Sequence, residues 1–316
     1  MPISIRQWDG SKISEPGIYA GVPMDAYHGD LCVGPSISSS GLRTIDSESP
    51  LHFFDGSYLN PDREEEEPAD HHTIGTSVHT LLMRESGFAE RFIVRPSQWK
   101  DWRTNEAKAW RKAAIDEGLG VLLPSDLEMI KGIARSVAAD QFVKEGGFDG
   151  LAEHSIVWQD PETGVWMKAR PDVLNLAARV VVDLKTISSA DGQSCRKAIG
   201  EHGYHVQLGL ACEGIEIITG EKFDDGCFLV FAEKKRPYGV NVKPIDAQAI
   251  WTGRQIVRRA VRKFAECIER GEWPGYADSG RTAHLPSWLE KRMTDEHAAG
   301  LLPDPLHIER MKDAAE

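Results

Sequence analysis

Asp172, Asp183 and Lys185 have the types and spacing for metal-assisted hydrolysis of a phosphodiester. They stand in Arg170-Pro171-Asp172, then ten residues, then Asp183-Leu184-Lys185. Residues two apart on a strand emerge on one face, so Asp183 and Lys185 point the same way. Asp172 falls at the end of the preceding strand or turn, where a hairpin-like return carries it beside Asp183. Two converging carboxylates repel unless a cation sits between them, and hard oxygen ligands favour Mg²⁺ or Mn²⁺. Lys185 then places positive charge beside the attacking water and the scissile phosphate. There it orients the water, lowers its pKa or stabilises the charge developing on the phosphorane.

The bare acid-x-Lys triplet is weak, since about two arise by chance in a chain of this length and charge content. Glu106-Ala107-Lys108 and Glu233-Lys234-Lys235 also match it. For the triplet alone, a structural ion pair and catalysis are equal readings. Only Asp183-x-Lys185 follows a buried-strand run and has a Pro-Asp upstream at hairpin distance. Arg170 shares a face with Asp172 only on a regular strand, and Pro171 between them argues against regularity. A surface or salt-bridged arginine is the plainer reading there.

These residues need a scaffold, and hydrophobic periodicity supplies one. Arg179-Val180-Val181-Val182-Asp183-Leu184-Lys185 is β-branched and fits a buried central strand. Glu153 to Trp158 alternates like a strand, Asp160 to Gly164 is a turn, and Val165 to Ala169 is the return strand. Cys227 to Ala232 and Gly239 to Pro244 read as two further strands. Helices are expected after Ser36–Ser40 and Pro50, over Thr73–Met83, 105–116 and 125–144, from about Tyr204 to Ile217, and over Ala247–Arg270. Residues 60–72, which include Glu64–Glu67, read as a solvated loop, and His71-His72 as surface. The first 35 residues read as irregular with short strands, and the last 30 as polar and loosely held. The order suggests an α/β core in the second half with a mostly helical N-terminal portion packed on it.

Bulk properties narrow the class. No apolar stretch approaches the roughly 20 residues of a membrane helix. The start, MPISIRQWDGSK, lacks a signal-peptide pattern, and the five scattered cysteines form no C-x-x-C pair. Reduced thiols in the cytoplasm are expected, and a structural zinc site or iron–sulfur cluster is not. The formal net charge of −12 is the wrong sign for a DNA-binding protein, but the location of charge matters more than its sum. Arg254, Arg258 and Arg262 fall at i, i+4, i+8 and form a basic stripe suited to phosphate contacts. Lys234-Lys235-Arg236 and Lys108, Arg111 and Lys112 form further basic clusters. Trp99, Trp102 and Trp110 lie in a basic segment, where core burial ranks ahead of stacking on a DNA end.

Several blocks together resemble a known family: SISSSGLRTI, IGTSVHTLLM, EHSIVWQDPETGVWMKARPDVL, VVVDLKTISSA, YHVQLGLACEGI and GEWPGY. In this order, from Ser36 to Tyr276, they resemble the RecE-type (exonuclease VIII) branch of the PD-(D/E)xK nuclease superfamily. The resemblance implies a restriction-endonuclease-like α/β core, a central mixed sheet flanked by helices. It implies a single nuclease domain over 1–284, with a helical portion about 36–145 and a catalytic core about 150–276, then a polar tail over 285–316. It implies a metal site of Asp172, Asp183 and His79, with the carbonyl of Leu184 as a further ligand. Taken alone, a histidine on a helix is more often structural. Glu153 matches an acid that binds a second metal or a water, with a strand-edge salt bridge as the alternative. Tyr204 and Gln207 match a Tyr-x-x-Gln helix in RecB-like relatives, where Gln207 bonds Lys185 or a phosphate and Tyr204 either contacts DNA or packs in the core. The implied activity is Mg²⁺-dependent digestion of double-stranded DNA ends, 5′ to 3′, leaving 3′ strands for a single-strand annealing protein. A tetrameric ring and a phage recombination setting are implied with it. The rivals are a RecB-like nuclease acting on single strands or as an endonuclease, and a non-catalytic DNA-binding recombination scaffold.

Overall fold

Residues 5–64, 70–83, 87–276, 280 and 282–302 are described by the computed structural model. Its strands are β1 (Ile5–Gln7), β2 (Gly17–Ala20), β3 (Ser36–Ser38), β4 (Phe92–Val94), β5 (Gly120–Leu122), β6 (Leu151–Ala152), β7 (Ser155–Gln159), β8 (Trp166–Ala169), β9 (Val173–Asn175), β10 (Val180–Ile187), β11 (Cys227–Glu233) and β12 (Val240–Ile245). Its helices are α1 (Met24–His28), α2 (Ser39–Ser47), α3 (Pro50–Asp55), α4 (Asp70–Leu82), α5 (Phe88–Arg91), α6 (Asn105–Asp116), α7 (Pro124–Ala139), α8 (Gly192–Glu201), α9 (Tyr204–Thr219), α10 (Ala247–Arg270) and α11 (Ser287–Ala298). The chain divides into two compact units, Met1–Gly275 and Tyr276–Glu316. No helix among the described residues is long and apolar enough to cross a membrane.

The β-branched run becomes β10, the centre of a five-stranded mixed sheet ordered β12-β11-β10-β9-β6. β10 is parallel to β11 and antiparallel to β9. Alternation along the strands divides the apolar side chains between two cores. Val181, Leu229 and Phe231 join Leu208, Ile215, Val257 and Phe264, which come from α9 and α10. Val182, Leu184 and Val230 join Val78 of α4 and Ile130, Ile133 and Val137 of α7. Each such side chain stabilises the fold by about 1.5–3 kcal/mol on burial. A second five-stranded sheet, β1-β2-β7-β8-β3, carries the hairpin read around Asp160–Gly164.

α10 forms as its periodicity requires, with Ile250, Val257, Val261 and Phe264 on the buried face and Asp246 capping the Ala249 amide. It crosses α9 closely because residue 253 is glycine. A Cβ there would stand 2.1 Å from the His205 carbonyl oxygen.

The structure departs from the sequence reading at these places among others. α4 begins at Asp70, so His71 and His72 are helical rather than in a loop; of the acidic run, residues 65–67 lie outside the described residues. α8 was not anticipated: it buries only Cys195 and Ala198 and is started by Asp191, whose carboxylate accepts from the Gln193 and Ser194 amides. The helix expected through 144 stops at Ala139, because Asp140 is extended; a separate π turn follows over Val143–Gly147. In the second unit the polar C-terminal segment holds the helix α11, and residues 303–316 lie outside the described residues.

Candidate active site

Arg170-Pro171-Asp172 is the link by which the chain leaves β8 in one sheet and enters β9 in the other. β9 then pairs antiparallel with β10, Leu174 opposite Val181 and Val173 opposite Val182. The next pair outward is Asp172 and Asp183. The ten-residue spacing is thus the length of this short hairpin. Both carboxylates are buried, at 6% and 1% exposure. Asp172 accepts a hydrogen bond through Oδ2 from the Leu184 amide. N–H and C=O of one strand residue face the same edge, so the Leu184 carbonyl is also directed to the side of Asp172.

α4 and the β6–β7 link complete the cluster. His79 Nδ1 lies 3.3 Å from Asp172 Oδ1 and 4.0 Å from Glu153 Oε1. Ligand atoms of His79, Glu153 and Asp172 all lie within 4.8 Å of one another, as a shared metal ion requires. Glu153 is fixed there by its amide, which donates to the Asp172 carbonyl at 3.0 Å. Its backbone is left-handed, φ 53°, a strained state for a non-glycine residue of the kind that clusters at functional sites.

On the other flank, Gln207 of α9 bridges the acid-x-Lys pair. Its Nε2 donates to Asp183 Oδ1 at 2.6 Å and its Oε1 accepts from Lys185 Nζ at 3.2 Å. Lys185 Nζ also contacts Asp183 Oδ2 as an ion pair, and it lies 4.9 Å over the Tyr204 ring. Asp183 Oδ2 is thus a buried oxygen that faces the Lys185 ammonium.

The electrostatics follow from this crowding. Burial opposes an imidazolium at His79, but the charge and hydrogen bond of Asp172 outweigh it and push its pKa up to about 9. Burial and the charge of Asp172 raise Asp183 to about 6 against the pull of Lys185. Burial would raise Asp172, yet His79 and Lys185 together hold it below the usual carboxylate value. Burial would lower Lys185, and the two aspartates more than compensate, so it stays charged. A proton on His79 therefore stands where a cation would balance the carboxylates.

The donor set fits a hard divalent ion: a triad within bonding range of one centre, flanked by the buried Asp183 carboxylate. Asp183 stands beside the His79–Glu153–Asp172 triad rather than in it, with Gln207 and Lys185 on its oxygens.

The structure does not bring the α10 stripe to this cluster. Arg254 pairs with Glu216 and Asp224, and Arg258 with Asp160 and Glu213. Arg262 pairs with Glu162. These arginines clamp α10 to the hairpin turn and to the distal half of α9. Tyr204 packs between Lys185 and Phe231. Arg170 lies 4.4 Å over the Tyr27 ring and donates to Ser155 Oγ and the Val22 carbonyl. Trp99, Trp102 and Trp110 pack on one another, with Arg95 and Arg111 over Trp102. Sequence reasoning passed over Arg43 of α2. It donates to the carbonyls of Ser39 and His202, has no ion pair among the described residues, and is held below its usual pKa by burial, against the pull of Tyr204 and Asp183. Helical periodicity marks Leu42 and Ile45 on α2 and gives no signal for Arg43.

The family described as a PDDEXK-like domain of unknown function (DUF3799) matches residues 38–284. A solved structure of a candidate exonuclease from Eubacterium rectale is 14% identical, with a TM-score of 0.53, covering 81% of this chain and 92% of that one. A phage-related exonuclease from Haemophilus somnus 129PT is 11% identical over 79% of this chain and 100% of its own, with a TM-score of 0.30. No curated protein matches the chain in sequence. The fold is the restriction-endonuclease-like α/β fold. The chain belongs to the PDDEXK-like family, whose domains are of the nuclease class and generally depend on divalent metal ions.

Proposed function

We propose that this PDDEXK-like protein is a Mg²⁺-dependent exodeoxyribonuclease that digests linear double-stranded DNA from its ends, 5′ to 3′, leaving 3′ single strands. The observation that carries the hydrolytic reading is the convergence of His79, Glu153 and Asp172 beside the Asp183–Lys185–Gln207 network. Support for the exonuclease reading is the description of the Eubacterium rectale relative and the ordered sequence blocks shared with RecE-type enzymes. The same resemblance supports residues 1–284 as the nuclease, a tetrameric ring and a single-strand annealing partner.

His79, Glu153 and Asp172 would hold the ion, with Asp183 Oδ2 and the Leu184 carbonyl alongside. A bound divalent cation supplies Lewis acidity, lowering the pKa of a water and neutralising charge on the phosphoryl oxygens. Lys185, charged and fixed between Asp183 and Gln207, presents its ammonium to a phosphate entering over the cluster and stabilises the negative charge that builds there. Gln207 holds Lys185 and Asp183 in register, so neither needs to reorganise when substrate arrives. Tyr204 covers the outer face of the ammonium and reduces its exposure to water.

End-labelled linear duplex, with and without Mg²⁺, tests the proposal. Metal-dependent release of mononucleotides from 5′ ends is the expected result, with closed circles untouched. Cutting of circles would replace the exonuclease by an endonuclease. Asp183→Ala should abolish cleavage while DNA binding persists; unchanged cleavage would remove this site from the chemistry.

A further inference from the structure

The loop joining β11 to β12 meets α7 across an open groove of about 540 Å³. Gly132, Arg135 and Ser136 line it from the helix, and Arg236, Pro237 and Tyr238 from the loop. Residues 132, 135 and 136 share a helix face by spacing. The floor is built rather than accidental. Tyr238 is left-handed, φ 61°, and lays its ring on Gly132, where a Cβ would stand 2.3 Å from the ring.

The cations that border this groove stand without counter-charges among the described residues. Arg135 and Arg236, with Lys234 and Lys235 beside them, have no ion pair among the described residues. Arg254, Arg258, Arg259 and Arg262 of α10, by contrast, are held by carboxylates. Unpaired cations converging on a groove in a chain of net charge −12 are an anion site by their own field.

The groove also lies on the right edge of the sheet. β10 and β11 are parallel, so their C-terminal ends point the same way. The loop starts where β10 finishes, with the Lys234 amide donating to the Ile187 carbonyl at 3.0 Å. Asp183 precedes Ile187 by four residues, about 13 Å of strand. A nucleic-acid strand advances about 3.4 Å per nucleotide along a duplex axis, so the stretch of β10 from Asp183 to its end matches roughly four nucleotides, and the groove lies beyond that end on the α7 face of the sheet.

We propose that this groove binds the phosphate backbone of the nucleic acid whose end lies in the catalytic cluster, with Arg135 and Arg236 as its contacts. The proposal rests on the nuclease reading above for the position of that end. It fixes a strand at a distance from the reacting bond and reads no sequence.

The test is DNA affinity measured against salt by fluorescence anisotropy, without divalent metal, on a labelled 20-base-pair duplex and on its single strand. Arg135→Ala/Arg236→Ala should weaken binding at least tenfold in 0.1 M salt and reduce the slope of log K against log salt by about 1.8 on duplex or about 1.4 on single strand. The larger loss identifies which form occupies the groove. Gly132→Ala, which displaces Tyr238 without touching charge, should weaken the same ligand. Both arginines are exposed, so folding of the double variant is expected and is checked by circular dichroism. An unchanged affinity and slope on both ligands would overturn the proposal. Binding without metal separates this result from the nuclease reading: a protein that binds through these arginines but never cuts keeps the groove and loses the nuclease, and one that cuts with an unchanged slope does the reverse.

Discussion

Metal affinity should depend steeply on pH, because the proton on His79 occupies the place of the cation. His79 titrates at about 9 through its contact with Asp172, and a histidine ligand must be neutral. At pH 7 the imidazole is therefore about 1% neutral, and the competing proton weakens metal binding roughly a hundredfold, about 2.7 kcal/mol. Raising the pH from 7 to 9 removes that competition. The apparent Kd for Mn²⁺ should fall about tenfold per unit and then level off. Below pH 6 the Asp183 carboxyl also becomes protonated, and the loss of affinity with falling pH should steepen. Calorimetry in two buffers of different protonation enthalpy measures the coupled proton directly: about one proton released per ion at pH 7–8, falling to about half a proton near pH 9. His79→Ala should bind more weakly at pH 9 and lose the dependence between 7 and 9. A Kd that is flat over that range, with no proton released, would refute the idea that His79 gives its nitrogen to the ion.

Three further outcomes follow from the same contacts. Gln207→Ala should lower kcat about 10–100-fold, the size expected of an outer partner to a metal site, while KM changes little and Gln207→Glu fails to restore the rate; a KM effect alone would make Gln207 a DNA contact. Arg258→Ala should destabilise the protein by about 1–3 kcal/mol, because the buried Asp160 carboxylate, 1% exposed, loses its guanidinium and keeps only the Thr163 donors, and it should leave the salt dependence of DNA binding as it was; urea unfolding and anisotropy measure the two halves. Gly253→Ala should cost about 1–3 kcal/mol by forcing α10 away from the His205 carbonyl, and a neutral result by thermal melting would mean that the two helices part freely.

The elements that position the site were legible wherever one face is apolar. α10 has the bounds its periodicity gives, and β10 forms on the run Val180–Val182. The spacing of Asp172 and Asp183 was legible for a related reason: ten residues between two carboxylates are enough for two short paired strands and a turn. α8 was not legible, since its formation depends on the Asp191 cap and only two of its residues are buried. Nor was the geometry of Glu153 in the pattern of residue types. It reaches the cluster through a left-handed backbone at the β6–β7 link, and no periodicity encodes a kink. The Arg254–Arg258–Arg262 stripe shows the limit most clearly. Its spacing correctly puts three guanidinium groups on one helix face, but whether that face is solvated or buttressed depends on Glu216, Asp224, Asp160, Glu213 and Glu162. These partners lie up to about a hundred residues away in sequence.

Those same pairs resolve the conflict between an acidic chain and a polyanionic substrate. An arginine held by carboxylates presents little net field. A cation with no partner keeps its field, and a few of them grouped beside a groove are sufficient for phosphate binding even at a net charge of −12. The acidic remainder then has a use. It repels nucleic acid from surfaces where binding would be unproductive. The cluster differs in kind from the groove, because three carboxylates there surround one histidine and one lysine. Without a divalent ion that imbalance repels a phosphate; with one, its sign reverses. Metal loading and entry of the scissile phosphate are therefore coupled by charge, whereas binding at the groove is independent of metal.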